Sequence, residues 1–363
     1  RRSHHSGEAA PPAPAGPTES QQLHLLALQR QQGQLQQGQL QQARANPAAP
    51  TPCMHAPTPH GRLAVRAGRL IGLGHQRPVT LSGVSLFWSQ WMGAFYDERT
   101  VAWFATEWQA TLVRAALGVH ESSGFLCDPQ AELAKAERVL DAAIARGVYC
   151  IVDWHDHHAE RHAEQACAFF GALARRYGRH ENLIYEIFNE PDLGVPWPAV
   201  RAYAERVIAA IRQHDPLNLI IVGTPYWSQH VDVAAAAPLD DANVAYALHF
   251  YAGTHGAELR QRAEHALAAG ACLFVSEWGA VDAGGDGRVA HGSVGEWQRF
   301  MRRHGLSHAA WAVSDKAEAA SIFVPGAAAA LGVWGEEHLT ESGRCVREVV
   351  RGCVCRLGTQ VTN

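Results

Sequence analysis

Three carboxylates stand within seven positions of the stretch LIYEIFNEPDLG, at Glu186, Glu190 and Asp192. A carboxylic acid can protonate a leaving oxygen and a carboxylate can attack an electrophilic carbon; hydrolysis of a glycosidic bond uses one group in each role. The stretch reads as a β-strand, and strand side chains alternate between faces. A regular strand would put Glu186, Phe188 and Glu190 on one face, with the two glutamates about 13 Å apart along it. Pro191 has no N–H to extend a ladder, so the strand is expected to end at Glu190. Glu190 then lies at a strand end, Glu186 lies deep where a charge needs a partner or a proton, and Asp192 falls in a solvated loop. The chemistry needs a second acid, and FVSEWG offers Glu277 at another strand end.

Strands and helices must position these groups. Eight short runs rich in β-branched and aromatic residues qualify as strands: 83–87, 110–117, 148–155, 183–190, 219–224, 244–251, 272–279 and 308–315. Between them lie amphipathic stretches. In AELAKAERVLDAAIARG, Leu133, Val139, Leu140, Ala143 and Ile144 share a face and Gly147 closes the end. In PAVRAYAERVIAAIRQHDP, Pro198 opens the first turn and Asp215-Pro216 ends the segment. Eight β-then-α repeats predict a (β/α)8 TIM barrel of the α/β class. A dinucleotide-binding sheet is disfavoured, because no G-x-G-x-x-G turn follows a first strand. In a barrel the active site lies at the C-terminal strand ends, and here those ends are polar: Asp153, Trp154 and His155 on the third strand, Asn189 and Glu190 on the fourth, His249 and Tyr251 on the sixth, Glu277 and Trp278 on the seventh.

The rest of the 363-residue chain bounds the answer. Residues 1–62 are rich in Pro, Ala and Gln, with QQGQLQQGQLQQ repeating at a five-residue step. Such a composition cannot bury a core, so this part is expected to be a disordered linker or tail, with a transient helix near 21–42. The catalytic domain is expected over 63–352 and a short tail over 353–363. A hydrophobic content of 47%, 18% charged residues and a formal net charge of −4 describe a globular protein not held to nucleic acid by bulk charge. No apolar run approaches the ~20 residues that span a bilayer, so no membrane partner is expected. Of eight cysteines, Cys150 and Cys272 read as buried thiols, while Cys345, Cys353 and Cys355 are the better disulfide candidates.

Six segments, LVRAAL, IVDWH, IYEIFNEP, IIVGT with YWSQ, HFYAGTHG and FVSEWG, occur in order between residues 112 and 279, within a match that runs from about residue 81 to 350. Together they resemble glycoside hydrolase family 5, and within it the bacterial-type subfamily 2 endo-β-1,4-glucanases. The resemblance implies a retaining hydrolase of cellulose or related β-glucans, working as a monomer, without a cofactor, and outside the cell on a polymer. By position it implies Glu190 as acid/base and Glu277 as nucleophile, with carboxyls ~5–5.5 Å apart. Asn189 is implied to bind the sugar 2-OH, and Arg114, His155, His249 and Tyr251 to surround the pair. Arg114 and Tyr251 are expected to keep Glu277 ionised, and the negative neighbour to raise the pKa of Glu190. Trp91, Trp227 and Trp311 match ring-stacking platforms, and Lys316 and Glu318 match groups that hold a glucosyl unit. The chain departs from the resemblance at the end of its first strand, where Phe87 and Trp88 stand in place of a frequent His, and at Ala312, where Ser is common. Trp154 and Trp278 are expected to point outward, between sheet and helices.

Other readings compete. DWHDHHAERH gathers Asp153, His155, Asp156, His157, His158 and His162, which suggests a metal. A catalytic metal, however, needs ligands converging from several strands with outer partners, so no metal is expected. A carbohydrate-binding pseudoenzyme would usually have lost one of the two acids. Mannan, xylan or mixed-linkage glucan are alternative substrates on the same machinery, since subsites decide between them.

Overall fold

The computed structural model describes residues 56–119 and 122–354. The Gln-rich stretch with its expected helix and the last nine residues lie outside these.

Eight parallel strands close into a barrel: β1 (Ser82–Leu86), β2 (Leu112–Gly118), β3 (Tyr149–His155), β4 (Leu183–Glu186), β5 (Ile220–Val222), β6 (Val244–Tyr251), β7 (Leu273–Gly279) and β8 (His308–Val313). A helix follows each strand: α1 (Glu98–Glu107), α2 (Pro129–Arg146), α3 (Ala163–Tyr177), α4 (Trp197–Arg212), α5 (Val231–Ala236), α6 (Ala257–Ala268), α7 (His291–His304) and α8 (Glu341–Val354). The TIM barrel read from the sequence is therefore the fold. Helix α2 shows why its boundaries fall where they do. The Asp128 side chain accepts from the Ala131 N–H, Pro129 occupies the first turn, and Gly147 takes the left-handed conformation (φ 69°) that ends the helix. Its residues Ala136, Val139, Leu140, Ala143 and Ile144 are buried.

Apolar residues fill two layers. Between strands and helices, Trp154 packs on Phe169 and Phe170 of α3, and Trp278 on Phe250, which in turn stacks on Trp297, so both Trp154 and Trp278 face outward from the barrel. Inside, the N-terminal half is filled by Leu81, Leu112, Ile151, Ile184, Ile221, Ala247, Phe274 and Ala309. Beneath it lies an antiparallel ribbon of Leu63–Arg66, Arg69–Gly72 and Arg77–Pro78 that contributes Leu63 and Leu70. Residues 56–62 join this end: Thr58 bonds Glu181, and Tyr149 donates to the Gly61 carbonyl.

Strand β4 departs from its expected form. Its ladder stops at Glu186, and both Ile187 and Phe188 belong to the outer apolar layer, with Phe188 against Tyr203 of α4 at 5.3 Å. Phe188 therefore does not face the interior. Two successive outward residues reset the alternation, so Asn189 and Glu190 turn inward together. Backbone bonds hold this stretch: the Ile187 N–H to Ile221 O, the Asn189 N–H to Trp154 O, and the Glu190 N–H to Asp156 O. Gly223 leaves room for it, since a Cβ there would lie 2.3 Å from the Phe188 carbonyl oxygen. Strand β7 has a similar irregularity between Phe274 and Glu277, which lets both Ser276 and Glu277 bond groups inside the barrel.

Cys150 and Cys272 are buried free thiols. Cys345 is a buried free thiol too, against its expected place in a disulfide; it lies on α8 and packs in the outer apolar layer. The side chain of Cys353 and all of Cys355 lie outside the described residues.

Candidate active site

Arg114 of β2 is wholly buried at the centre of the C-terminal half of the barrel. Its guanidinium reaches Glu186 Oε2 at 2.6 Å, Glu277 Oε2 at 3.0 Å, Asp153 Oδ2 at 2.9 Å, Asn189 Oδ1 at 2.7 Å and Ser85 Oγ at 3.1 Å. A planar fork with five donors suits this task better than an ammonium group. Glu186 thus has the partner its depth demands. Its second oxygen accepts from Ser276 Oγ at 2.6 Å, and burial notwithstanding, Arg114 and His249 hold its carboxyl below the usual range.

His249 links this base to Glu190. Its Nδ1 lies 2.9 Å from Glu190 Oε1 and its Nε2 2.9 Å from Ser276 Oγ. Despite burial, hydrogen bonds to Glu186 and Glu190 push its imidazole up to about 9. Glu277 is held from the other side, with Oε1 accepting from the Tyr251 hydroxyl at 2.7 Å. Gly279 makes that bond possible, because a Cβ there would lie 2.3 Å from the Tyr251 ring. One oxygen each of Glu190 and Glu277, with a ring nitrogen of His249, lie within 4.8 Å of one another. This triplet is the one grouping of three potential metal ligands among the described residues. Its atoms are already engaged by Arg114, Tyr251 and each other, and a cation there would face the buried guanidinium. Those engagements do not fit a resident metal.

The pKa directions of the pair run opposite to expectation. Burial raises the pKa of Glu190, but hydrogen bonds from His157 and His249 overcome it and hold the carboxyl down at about 2. The raised value expected from a negative neighbour ignored these two imidazoles. Glu277 is pushed up by burial and then by the charge of Glu190, against His249, Arg114 and Tyr251. The two contacts expected to lower its pKa are present, but burial and the charge of Glu190 outweigh them.

Other predicted residues gather around this centre. The ring of His155 stacks on Trp311 at 5.2 Å, and its Nδ1 lies 2.6 Å from Asp153 Oδ2. Burial keeps this imidazole well below its usual pKa and raises that of Asp153. Trp311, whose peptide bond to Ala312 is cis, meets Phe87 at 5.1 Å, and Phe87 meets Trp91, which is 55% exposed. Lys316 and Glu318 pair with each other, and the Lys316 ammonium lies 5.4 Å above the Phe87 ring. Trp227 stands apart, after β5; it is half-buried and its N–H donates to the Pro191 carbonyl. Sequence reasoning missed Ser276 and Ser85 as partners, and it met Trp88 only as a departure from the resemblance, whereas its ring packs edge-on against His155 at 4.1 Å. It met His157 only as a possible ligand, whereas its Nε2 lies 3.4 Å from Glu190 Oε2. Alternation on β1 would place Ser85 inward beside Arg114, whereas the irregularity in β7 and the loops after β1 and β3 set the others.

Two acids held over a buried arginine at the C-terminal mouth of a (β/α)8 barrel define the class as a barrel glycoside hydrolase. Residues 74–317 match the model of Cellulase (glycosyl hydrolase family 5), and the chain belongs to that family. It is 47% identical over 288 residues to Endoglucanase Z of Dickeya dadantii, an alignment covering 78% of this chain and 65% of that relative. The chain thus spans less than two thirds of that relative's length. A solved structure from Cytophaga hutchinsonii is 42% identical, with a TM-score of 0.81, covering 83% of this chain and 98% of that one. The catalytic domain of Thermobifida fusca endoglucanase Cel5A, solved as a variant in complex with cellotetraose, is 31% identical with a TM-score of 0.76, covering 80% and 98%. Among the described residues no helix is long and apolar enough to cross a membrane.

Proposed function

We propose that the chain is a retaining endo-β-1,4-glucanase that hydrolyses internal linkages of cellulose or related β-glucans. The observation that carries this reading is the approach of Glu190 and Glu277, with oxygens within 4.8 Å. That approach suits direct attack by one carboxylate; inversion needs ≈ 6.5–9.5 Å to admit a water between the groups. The endoglucanase names of the relatives and the cellotetraose in the Thermobifida fusca domain support the substrate class.

Glu277 attacks the anomeric carbon while Glu190 passes its proton to the departing glycosidic oxygen. Water then attacks the glycosyl ester and gives its proton back to Glu190. Two carboxylates this close do not both ionise cheaply, so the pair holds a proton between them. In the empty cleft the imidazoles hold the Glu190 pKa down, while burial and the charge of Glu190 push that of Glu277 up. A glycosidic oxygen arriving at Glu190 is an acceptor that draws the proton across, and Arg114 and Tyr251 then stabilise the ionised nucleophile. Asn189 supports the reading further. Its Oδ1 is fixed by Arg114, and its buried Nδ2 has no partner among the described residues, which leaves it free to donate to a sugar hydroxyl. Trp91, Trp227 and Trp311 are assigned as sugar platforms, with Lys316 and Glu318 as polar contacts beyond the cleaved bond. The enzyme is further assigned as a monomer acting outside the cell, with its catalytic domain over 63–352 extended by residues 56–62, which bond Glu181 and Tyr149, and by the end of α8 at Val354.

Product analysis on carboxymethyl cellulose, mixed-linkage glucan, mannan and xylan tests the proposal. Rapid loss of viscosity with short cello-oligosaccharide products is expected on the first. Turnover confined to mannan or xylan would move the assignment to those polymers.

A further inference from the structure

The two oxygens of Glu190 are held differently. Oε1 receives a buried bond from His249 at 2.9 Å, which fixes the carboxyl to the barrel wall. Oε2 is the oxygen left to meet a glycosidic bond, and His157 already sits on it, at a long 3.4 Å. His157 follows β3 in a loop at the mouth; its side chain is 42% exposed, and its ring stands edge-on to Trp88 at 5.8 Å. The charges of Glu190, Glu277 and Asp156 face it, and it bears on the neighbouring His155. A ring this exposed, on a contact this long, can leave without disturbing the buried network. A sugar seated on the leaving side must displace it, because both require Oε2.

We propose that His157 is a positioning residue that keeps Glu190 an oriented carboxylate while the cleft is empty and releases Oε2 when a leaving-side sugar covers it. The inference rests on the assignment of Glu190 as the acid/base. His157 thereby couples occupancy of the cleft to acidity: the group that must donate a proton gains affinity for one only when a glycosidic oxygen is in place. The pKa of Glu190, held down in part by His157, agrees with this geometry.

The test is a carbon-13 NMR titration of protein labelled at the glutamate carboxyls, with Glu190→Gln to assign the signal. In ligand-free His157→Ala the midpoint of Glu190 is expected to rise by about one pH unit, because a cation that favours the charged form is gone. His157→Gln, which keeps a donor without the charge, is expected to give a smaller rise. Binding of a non-hydrolysable thio-linked cello-oligosaccharide is expected to raise the wild-type midpoint and to raise that of His157→Ala by less. An unchanged midpoint in ligand-free His157→Ala would overturn the proposal, as would equal ligand-induced rises in the two proteins. If the wild type binds no cello-oligosaccharide, the glucanase assignment fails instead, while the ligand-free titrations still decide the role of His157.

Discussion

The two halves of the barrel interior are built from opposite chemistry on the same eight strands. The N-terminal half is a dry layer of Leu112, Ile151, Ile184, Ile221, Phe274 and their neighbours, with no charge to compensate. The C-terminal half, a few residues further along the same strands, packs Arg114, Asp153, Glu186, His249 and Glu277 into a space almost closed to water. Ile184 and Glu186 are two residues apart on one strand, yet one contributes stability by leaving water and the other only because Arg114 and Ser276 receive it. The lower layer holds the strands in register, and the upper layer uses that rigidity to keep two acids within reach of each other. Burial alone therefore does not distinguish a structural residue from a chemical one. The nature of the partners does.

Substitutions on either side of this boundary should separate activity from stability. Glu277→Gln is expected to lower turnover of soluble cellulose derivatives by about 10^4-fold or more, the scale of losing a covalent nucleophile, with the circular dichroism of the fold unchanged. Glu190→Gln should cost on the order of 10^2- to 10^4-fold on polysaccharide and far less on an aryl cellobioside whose leaving group needs no proton. Arg114→Leu crosses the boundary: it strands buried carboxylates, so a loss of ~3–5 kcal/mol in urea unfolding should accompany loss of turnover. Ile184→Ala should cost ~2–5 kcal/mol while kcat per folded molecule stays near wild type. A kcat that fell with stability in Ile184→Ala would show that the two layers are not separable.

The smallest effect is one of pH. His249 has a folded pKa raised to about 9 against about 6.5 unfolded, so the stability it contributes is complete below about pH 6.5 and is lost as the pH rises through about 9. Thermal melts across that window should show the wild type losing more stability than His249→Asn. Parallel curves would place the alkaline loss elsewhere.

Most of the fold was legible because eight strand patterns and their helices repeat, and because turn residues such as Asp128 and Gly147 act locally. The approach of Glu190 to Glu277 was legible from motif order, although the strand before Pro191 stops at Glu186 rather than at Glu190. What was not legible depends on irregularity and on contacts distant in sequence. Strict alternation put Phe188 inside, whereas two successive outward residues past the end of the ladder turn it out and bring Asn189 in. The same kind of shift in β7 hid Ser276 behind Glu277. The pKa directions failed because they were argued from two carboxylates alone, while His157, which arrives from a loop, and His249, two strands away, bear on Glu190.

The central claim is that Glu277 attacks and Glu190 assists. A 2-deoxy-2-fluoro cellobioside with a good leaving group forms the glycosyl ester quickly and hydrolyses it slowly, so it marks the attacking residue. Mass spectrometry of the digested protein should find one fluorocellobiosyl group on the peptide containing Glu277, with none in Glu277→Gln. A label on Glu190, or rapid turnover with inverted product and no label, would contradict the account.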